Sequence, residues 1–198
     1  MLASLLDVQN LTFSRDDQLI IQDVNLKLTE GQIIYVSGSN GSGKSTLLKL
    51  LANLLNPDFG TIQWSQAYLY AYLGHKISIK HFASPLENIL YASNGYLQKC
   101  APVSAMAILE RLQLGESSEA LKKRPTVSFS FGQQRKISMA CIMASFRPVW
   151  ILDEPFTGLD EVAKTILNEC FQEKIKQGGA IMMASHIAPD KHHQNIIL

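Results

Sequence analysis

The residues Gly38-Ser39-Asn40-Gly41-Ser42-Gly43-Lys44-Ser45 fit the pattern GxxxxGK[ST], and each residue type in it answers a need of phosphate binding. Glycines let successive backbone N–H groups curl around an anion without side-chain clash. A helix beginning near Gly43 would aim its positive end at the same anion. Lys44 can reach the outer phosphates as a point charge. Ser45 offers a hydroxyl to Mg²⁺, which prefers oxygen ligands in octahedral geometry. The candidate phosphate-binding set is therefore Gly38, Ser39, Asn40, Gly41, Ser42, Gly43, Lys44 and Ser45, with Thr46 following in the helix.

A second candidate lies roughly a hundred residues on, where Val149-Trp150-Ile151-Leu152 runs into Asp153-Glu154. A buried parallel strand that ends in carboxylates delivers them to the mouth of such a phosphate site. There Asp153 can hold the Mg²⁺ shell and Glu154 can polarise an attacking water. Alone, two acids after a strand read as a solvated strand end, and it is the upstream phosphate loop that reverses the balance.

These residues need a sheet behind them. Gln32 to Ser37 is a short apolar run suited to a central strand buried on both faces. After the loop, Leu47, Leu48, Leu51, Leu54 and Leu55 recur at helical spacing, and Asn56-Pro57 ends that helix. Val24, Leu26 and Leu28 alternate as in a half-buried strand, and Thr61–Trp64 and Tyr68–Leu73 read as further strands. Tyr68, Tyr70 and Tyr72 share one face and read as packing, as do Trp64 and Trp150. From Ser84 to Ser145 the pattern turns helical: a capping box at Ser84-Pro85-Leu86-Glu87, a helix over Ser104–Leu114, a polar loop over 115–128 that includes Lys122-Lys123-Arg124, and a helix over Gln133–Ala144. Asp160–Lys176 is an amphipathic helix and Ala180–Ser185 an apolar strand. Strands and helices alternating at both ends, with helices between, describe an α/β sheet carrying an inserted α-helical subdomain.

The bulk numbers exclude several classes. The 198 residues suit one domain with a subdomain inside it. A net charge of +1, from 18 basic and 17 acidic side chains, gives no field for nucleic acid or anionic lipid, so no nucleic-acid partner is expected. Cys100, Cys141 and Cys170 form no CxxC pair and read as reduced thiols. The N-terminus lacks the pattern of a signal peptide, and the apolar stretch Ile137–Phe146 falls short of the about 20 residues needed to span a bilayer. His192-His193 has no cysteine or acid cluster beside it, so no metal is assigned there.

Ser130-Phe131-Gly132-Gln133-Gln134 resembles the signature of the ATP-binding-cassette family, usually LSGGQ, with Phe129 and Phe131 departing from the usual leucine and small residue. Thr157-Gly158-Leu159-Asp160 resembles the loop that crosses the dimer interface in that family, and His186 matches its switch histidine. All stand in family order over about residues 5–190. The resemblance implies a P-loop nucleotide-binding sheet with an antiparallel β subdomain and a helical signature subdomain. As one cassette over 1–198, residues 1–83 and 146–198 would form the α/β core and 84–145 the helical part. Finer phrases, among them Tyr72-Leu73-Gly74-His75, Leu86-Glu87-Asn88 and Trp150-Ile-Leu-Asp-Glu-Pro-Phe-Thr, resemble the ATP-hydrolysing subunits of bacterial haem exporters of cytochrome c maturation.

The resemblance further implies ATP as substrate with Mg²⁺ on Ser45 and Asp153, and Glu154 and His186 as catalytic residues. It implies a head-to-tail dimer in which Ser130, Phe131, Gly132 and Gln133 cap the ATP of the second subunit, with Asp160 in the interface loop. Integral membrane subunits would be moved through the segment around Lys76–Ser84, which places the chain peripherally on the cytoplasmic face of the inner membrane. Two positions depart from the family. Lys76 aligns with a metal-ligating glutamine, and an ammonium cannot act as that ligand. Arg15 aligns where a tyrosine often stacks on adenine; its guanidinium can stack instead, with Phe13 nearby as either core or adenine contact. The alternatives are an ATPase of another small transporter, a non-transport ATPase of the same superfamily, and a nucleotide-binding regulator with little turnover.

Overall fold

The computed structural model describes residues 3–67, 69–93, 100–185 and 194–198. The described chain forms two compact units. One comprises Met1–His75, Pro148–Pro155 and Gln172–Leu198; the other comprises Lys76–Arg147 and Phe156–Phe171.

The first unit is built from two sheets. Strands β1 (Ser4–Arg15), β2 (Gln18–Thr29) and β4 (Phe59–Trp64) form an antiparallel sheet in the order β2-β1-β4. Strands β5 (Tyr70–Leu73), β6 (Val149–Asp153), β7 (Ala180–Ala184), β3 (Ile33–Ser37) and β8 (Gln194–Ile197) form a parallel sheet in the order β5-β6-β7-β3-β8. Every residue of β6 and β7 is buried, as interior parallel strands covered on both faces should be. Helix α1 (Lys44–Leu51) touches β2 in one sheet and β6 and β7 in the other. Its Leu47, Leu48, Leu50 and Leu51 are all fully buried. Its leucine face fills the space between the sheets, while Ser45, Thr46 and Lys49 stay partly exposed on the other side.

Two strands escape the sequence pattern. In β1 the pairing to β2 shifts register four times, and Asn10 sits at φ 52. Such bulges break strict alternation, so Leu5 and Leu6 are both buried side by side. Gly60, at φ 89, faces the bulge, where a Cβ would stand 2.5 Å from the Gln9 carbonyl oxygen. Strand β8 is a polar edge strand beside β3. Gln32 Nε2 donates to Gln194 Oε1 at 2.6 Å, and Ser37 Oγ bonds Asn195 Oδ1 at 2.8 Å. Trp150 is buried, and Trp64 donates to the Leu51 carbonyl at 3.1 Å. Phe13 is half-buried and packs against the main hydrophobic cluster.

The second unit contains α2 (Pro85–Ser93), α3 (Pro102–Arg111), α4 (Ser118–Lys123), a 3-10 turn (Thr126–Ser128), α5 (Phe131–Ala144) and the start of α6 (Glu161–Lys176). The capping box at α2 is present: the Ser84 amide donates to Glu87 Oε2 at 2.7 Å and the Glu87 amide to Ser84 Oγ at 3.2 Å. Those bonds to Ser84 hold the Glu87 carboxyl below its usual range.

Residues 115–128 are not the expected polar loop. They hold α4, capped by Ser117, and the 3-10 turn. Lys123 pairs with Glu119 at 2.6 Å, while Arg124 bonds Glu116 at 2.9 Å and lies 4.4 Å from the centre of the Phe129 ring. A six-residue helix is too short for periodicity to reveal; its cap and side-chain contacts hold it. Among the described residues no helix is long and apolar enough to cross a membrane.

Asn88 pins the chain before α2. Its Oδ1 accepts from the Lys80 amide at 2.7 Å, and its Nδ2 donates to the carbonyls of Lys80 at 3.1 Å and Ser84 at 3.0 Å. Thr126 Oγ1 holds the Lys80 carbonyl from the other side at 2.9 Å. Asn88→Ala should therefore lower unfolding stability by about 1–2 kcal/mol in denaturant titration, because it leaves the part-buried Lys80 amide without its acceptor while both carbonyls keep other donors.

Asp160 caps α6: the Ala163 amide donates to its Oδ1 at 2.7 Å, and Lys136 on α5 bonds its Oδ2 at 3.0 Å. The Ala163 amide first, then Lys136, hold its carboxyl below the ordinary value. A depressed carboxylate contributes stability above its unfolded pKa of about 4 and loses it as pH falls through the folded value. Asp160→Asn keeps a good cap and removes the charge. Thermal melts should show the variant less stable than the parent at pH 7 and converging with it as pH falls below the carboxylate range.

Candidate nucleotide site

The glycine loop starts at the carboxyl end of β3 and feeds α1, whose N-cap Gly43 has φ 102. That conformation, and the nearness of β2, require glycine: a Cβ on Gly43 would stand 2.9 Å from Ile21 Cδ1. Lys44 is buried, and its ammonium donates to the Gly38 and Ser39 carbonyls, both at 2.8 Å. The loop's own backbone thus holds the cation at the turn that an anion would enter, using two of its three donors.

A cavity of about 460 Å³ opens here, lined by Arg15, Ile20, Asn40, Gly41, Gly43, Lys44, Ser45, Thr46, His75 and Glu154. Its wall draws on four places in the chain: the β1–β2 hairpin, the glycine loop with α1, the end of β5 and the end of β6. Arg15 reaches it because Asp16 and Asp17, at φ 50 and 59, make a tight two-residue turn closing the hairpin on the Arg15–Gln18 pair. Ile20 and His75 were not anticipated as site residues. Ile20 lies on Gly43, its Cγ2 3.0 Å from where a Cβ would stand. His75 occupies the wall where the alignment expects Lys76; Lys76 is exposed and is not among the lining residues. The Gly74-His75 phrase was the available signal.

At the carboxyl end of β6, Asp153 is 1% exposed and its Oδ1 accepts from Ser45 Oγ at 3.1 Å. The next residue, Glu154, has φ 53, with its amide donating to the Ala184 carbonyl at 3.1 Å. A left-handed non-glycine residue is costly and concentrates at functional positions. No sequence pattern reveals it. Among the described residues no cluster of three or more His, Cys, Asp or Glu could cage a metal. The Ser45 hydroxyl beside a buried carboxylate is instead a small, oxygen-only donor set. It fits Mg²⁺, which is held by one or two protein oxygens and takes its other ligands from phosphate and water.

The signature residues form the start of α5 in the second unit. Ser130 is its N-cap: Ser130 Oγ accepts from the Gln133 amide at 3.2 Å, and the Ser130 amide donates to Gln133 Oε1 at 2.9 Å. Gln133 Nε2 donates to the Leu114 carbonyl at 2.9 Å and to Glu116 Oε1 at 3.1 Å. Both ends of the Gln133 amide are thus spent on holding the loop. Gly132 approaches closely, a Cβ there standing 3.1 Å from the Gly158 carbonyl. Phe129 is buried and Phe131 is 59% exposed, with its ring against Gly158. The two aromatic departures therefore serve different ends, one filling core and the other covering the interface loop. His186, His192, His193 and Tyr68 lie outside the described residues.

Comparison with known proteins agrees. The model of the ABC transporter family matches residues 21–157. The chain is 29% identical to the cytochrome c biogenesis ATP-binding export protein CcmA of Vibrio cholerae, covering 92% of this chain and 91% of that one. With the protein of that name from Bartonella henselae identity is 35%, covering 92% and 88%. A solved ATP-binding subunit of an ABC transporter superposes with a TM-score of 0.80 at 26% identity, covering 92% of this chain and 80% of that one. The family match runs from the second strand past the acidic pair, through the glycine loop and the signature helix, and the chain belongs to the ABC transporter family as one of its ATP-hydrolysing subunits.

Proposed function

We propose that this chain is the ATP-driven motor of an exporter serving cytochrome c biogenesis, with haem as the cargo of its membrane subunits. The observation that carries the motor reading is the convergence of Lys44, Ser45 and Glu154 on one cavity, with Asp153 bonded to Ser45. The names of the relatives support the export reading, and the close spacing of family phrases along the chain supports it again.

In this reading Gly38 to Thr46 bind the phosphates through backbone N–H groups and the Lys44 ammonium. Arg15 stacks on the base. Ser45 and Asp153 would hold Mg²⁺, which when bound withdraws charge from the phosphate oxygens. Glu154 takes a proton from the attacking water as its oxygen bonds the terminal phosphorus and the bond to the ADP oxygen breaks. Glu154 and His186 together position that water on the terminal phosphate. The chemistry is mostly positioning and charge neutralisation.

Two copies would pair head to tail. Ser130, Phe131 and Gly132 of one would close on the nucleotide of the other, with Gln133 holding that loop in shape and Asp160 setting the interface loop. The strap Lys80–Ser84, pinned by Asn88 and Thr126, would carry the movement to the membrane subunits, and Phe82, 90% exposed, is its contact. The chain would sit peripherally on the cytoplasmic face of the inner membrane.

The test is on the purified chain and on the assembled system. Glu154→Gln should bind ATP, lose turnover by about a hundredfold or more, and accumulate as a dimer on size measurement with ATP and Mg²⁺. Lys44→Ala should lose nucleotide binding. A monomeric Glu154→Gln protein with parental turnover would refute the motor reading. For export, the chain should copurify with membrane subunits and restore covalent haem attachment in a host lacking its own such ATPase. Failure of that rescue with ATPase activity intact would leave an ATPase of another transporter.

A further inference from the structure

Tyr72 sits in β5 at a place the catalytic scheme does not use. Its neighbour on the same face, Tyr70, is a structural residue: its hydroxyl donates to the Ala52 carbonyl at 2.8 Å, and its ring lies 4.8 Å from that of Trp64. Tyr72 differs. Its hydroxyl is buried and has no hydrogen-bond partner among the described residues. A buried hydroxyl left unbonded is costly and calls for a partner outside the resting fold.

The strand register shows where that hydroxyl points. Tyr72 pairs with Ile151 across the parallel β5–β6 ladder, which puts its side chain on the face shared by Ile151 and Asp153. The ring leans along the strand over Gly74, with Cε1 3.2 Å and Oη 3.3 Å from where a Gly74 Cβ would stand. It can lie there because Gly74 has no side chain. The hydroxyl therefore reaches the carboxyl edge of the sheet, where Asp153 accepts from Ser45.

We infer that Tyr72 is a positioning residue for the metal-holding carboxylate, its hydroxyl donating a hydrogen bond into the oxygen shell around Asp153 once nucleotide and Mg²⁺ are loaded. A phenol carries its proton at neutral pH, so the buried hydroxyl faces the carboxylate edge as a donor. Outer partners of metal-holding groups fix ligand orientation, and their loss typically weakens metal binding by about 10–100-fold. The inference rests on the reading that Ser45 and Asp153 hold the metal.

The experiment compares the full-length parent, Tyr72→Phe, Tyr70→Phe and Ser45→Ala. Two quantities are read: Mn²⁺ affinity by electron paramagnetic resonance in the presence of ATP, and the thermal midpoint of the nucleotide-free protein. Tyr72→Phe should weaken Mn²⁺ by about tenfold, leave ATP affinity in chelator within about twofold, and leave the nucleotide-free midpoint unchanged or higher. Tyr70→Phe should lower the midpoint and leave Mn²⁺ affinity alone. If Ser45→Ala weakens Mn²⁺ while Tyr72→Phe matches the parent, the role of Tyr72 is refuted and the metal reading stands. If neither weakens Mn²⁺, the metal reading fails and the inference with it. A lowered nucleotide-free midpoint in Tyr72→Phe with unchanged Mn²⁺ affinity would make its hydroxyl structural, which also overturns the proposal.

Discussion

The burial of the leucine face of α1 is the constraint from which the nucleotide site follows. Leu47, Leu48, Leu50 and Leu51 leave the helix no freedom to roll or slide between the two sheets. At roughly 2 kcal/mol per fully buried leucine, their transfer from water gives about 8 kcal/mol as an upper bound, comparable to the net stability of a whole domain. That fixes the first turn of the helix, and with it Lys44 and Ser45. Because α1 also touches β6, the same packing sets Ser45 against Asp153 at 3.1 Å. Leucines several residues from any phosphate thus decide where the phosphate-facing groups stand.

Much of this was legible from residue types. The glycine loop, the buried strands β3, β6 and β7 and the capping box at Ser84 each carry a local signature that packing reinforces, whereas the leucine-striped helix ends at Leu51, short of the expected stop at Asn56-Pro57, and leaves Leu54 exposed. What escaped did so for physical reasons. Strand β1 is broken by bulges, and β8 is a polar edge strand held by side-chain bonds from Gln32 and Ser37. Helix α4 is too short to show a period. The left-handed backbone at Glu154 follows from the turn the chain must make after β6 while its amide bonds Ala184. None of these is encoded in a window of a few residues.

The departures from the family pattern resolve unevenly. Phe129 and Phe131 are accommodated, the first as core beneath Arg124 and the second against Gly158, whose missing side chain leaves room for the ring. Arg15 and His75 both stand on the cavity wall. The strand end before a loop is where alignment by motif is weakest, since one residue of slip changes which side chain faces inward.

The backbone at Glu154 has a consequence for how this protein can change. A residue at φ 53 is one where asparagine or glycine would relax the chain, and glutamate stands there at a cost in backbone strain. Selection for thermal robustness alone would therefore drive this position away from a carboxylate, and a screen scored only on folding should recover variants there that are sturdier and inert. If Glu154 serves as the proposed base, stability and turnover compete at this one residue.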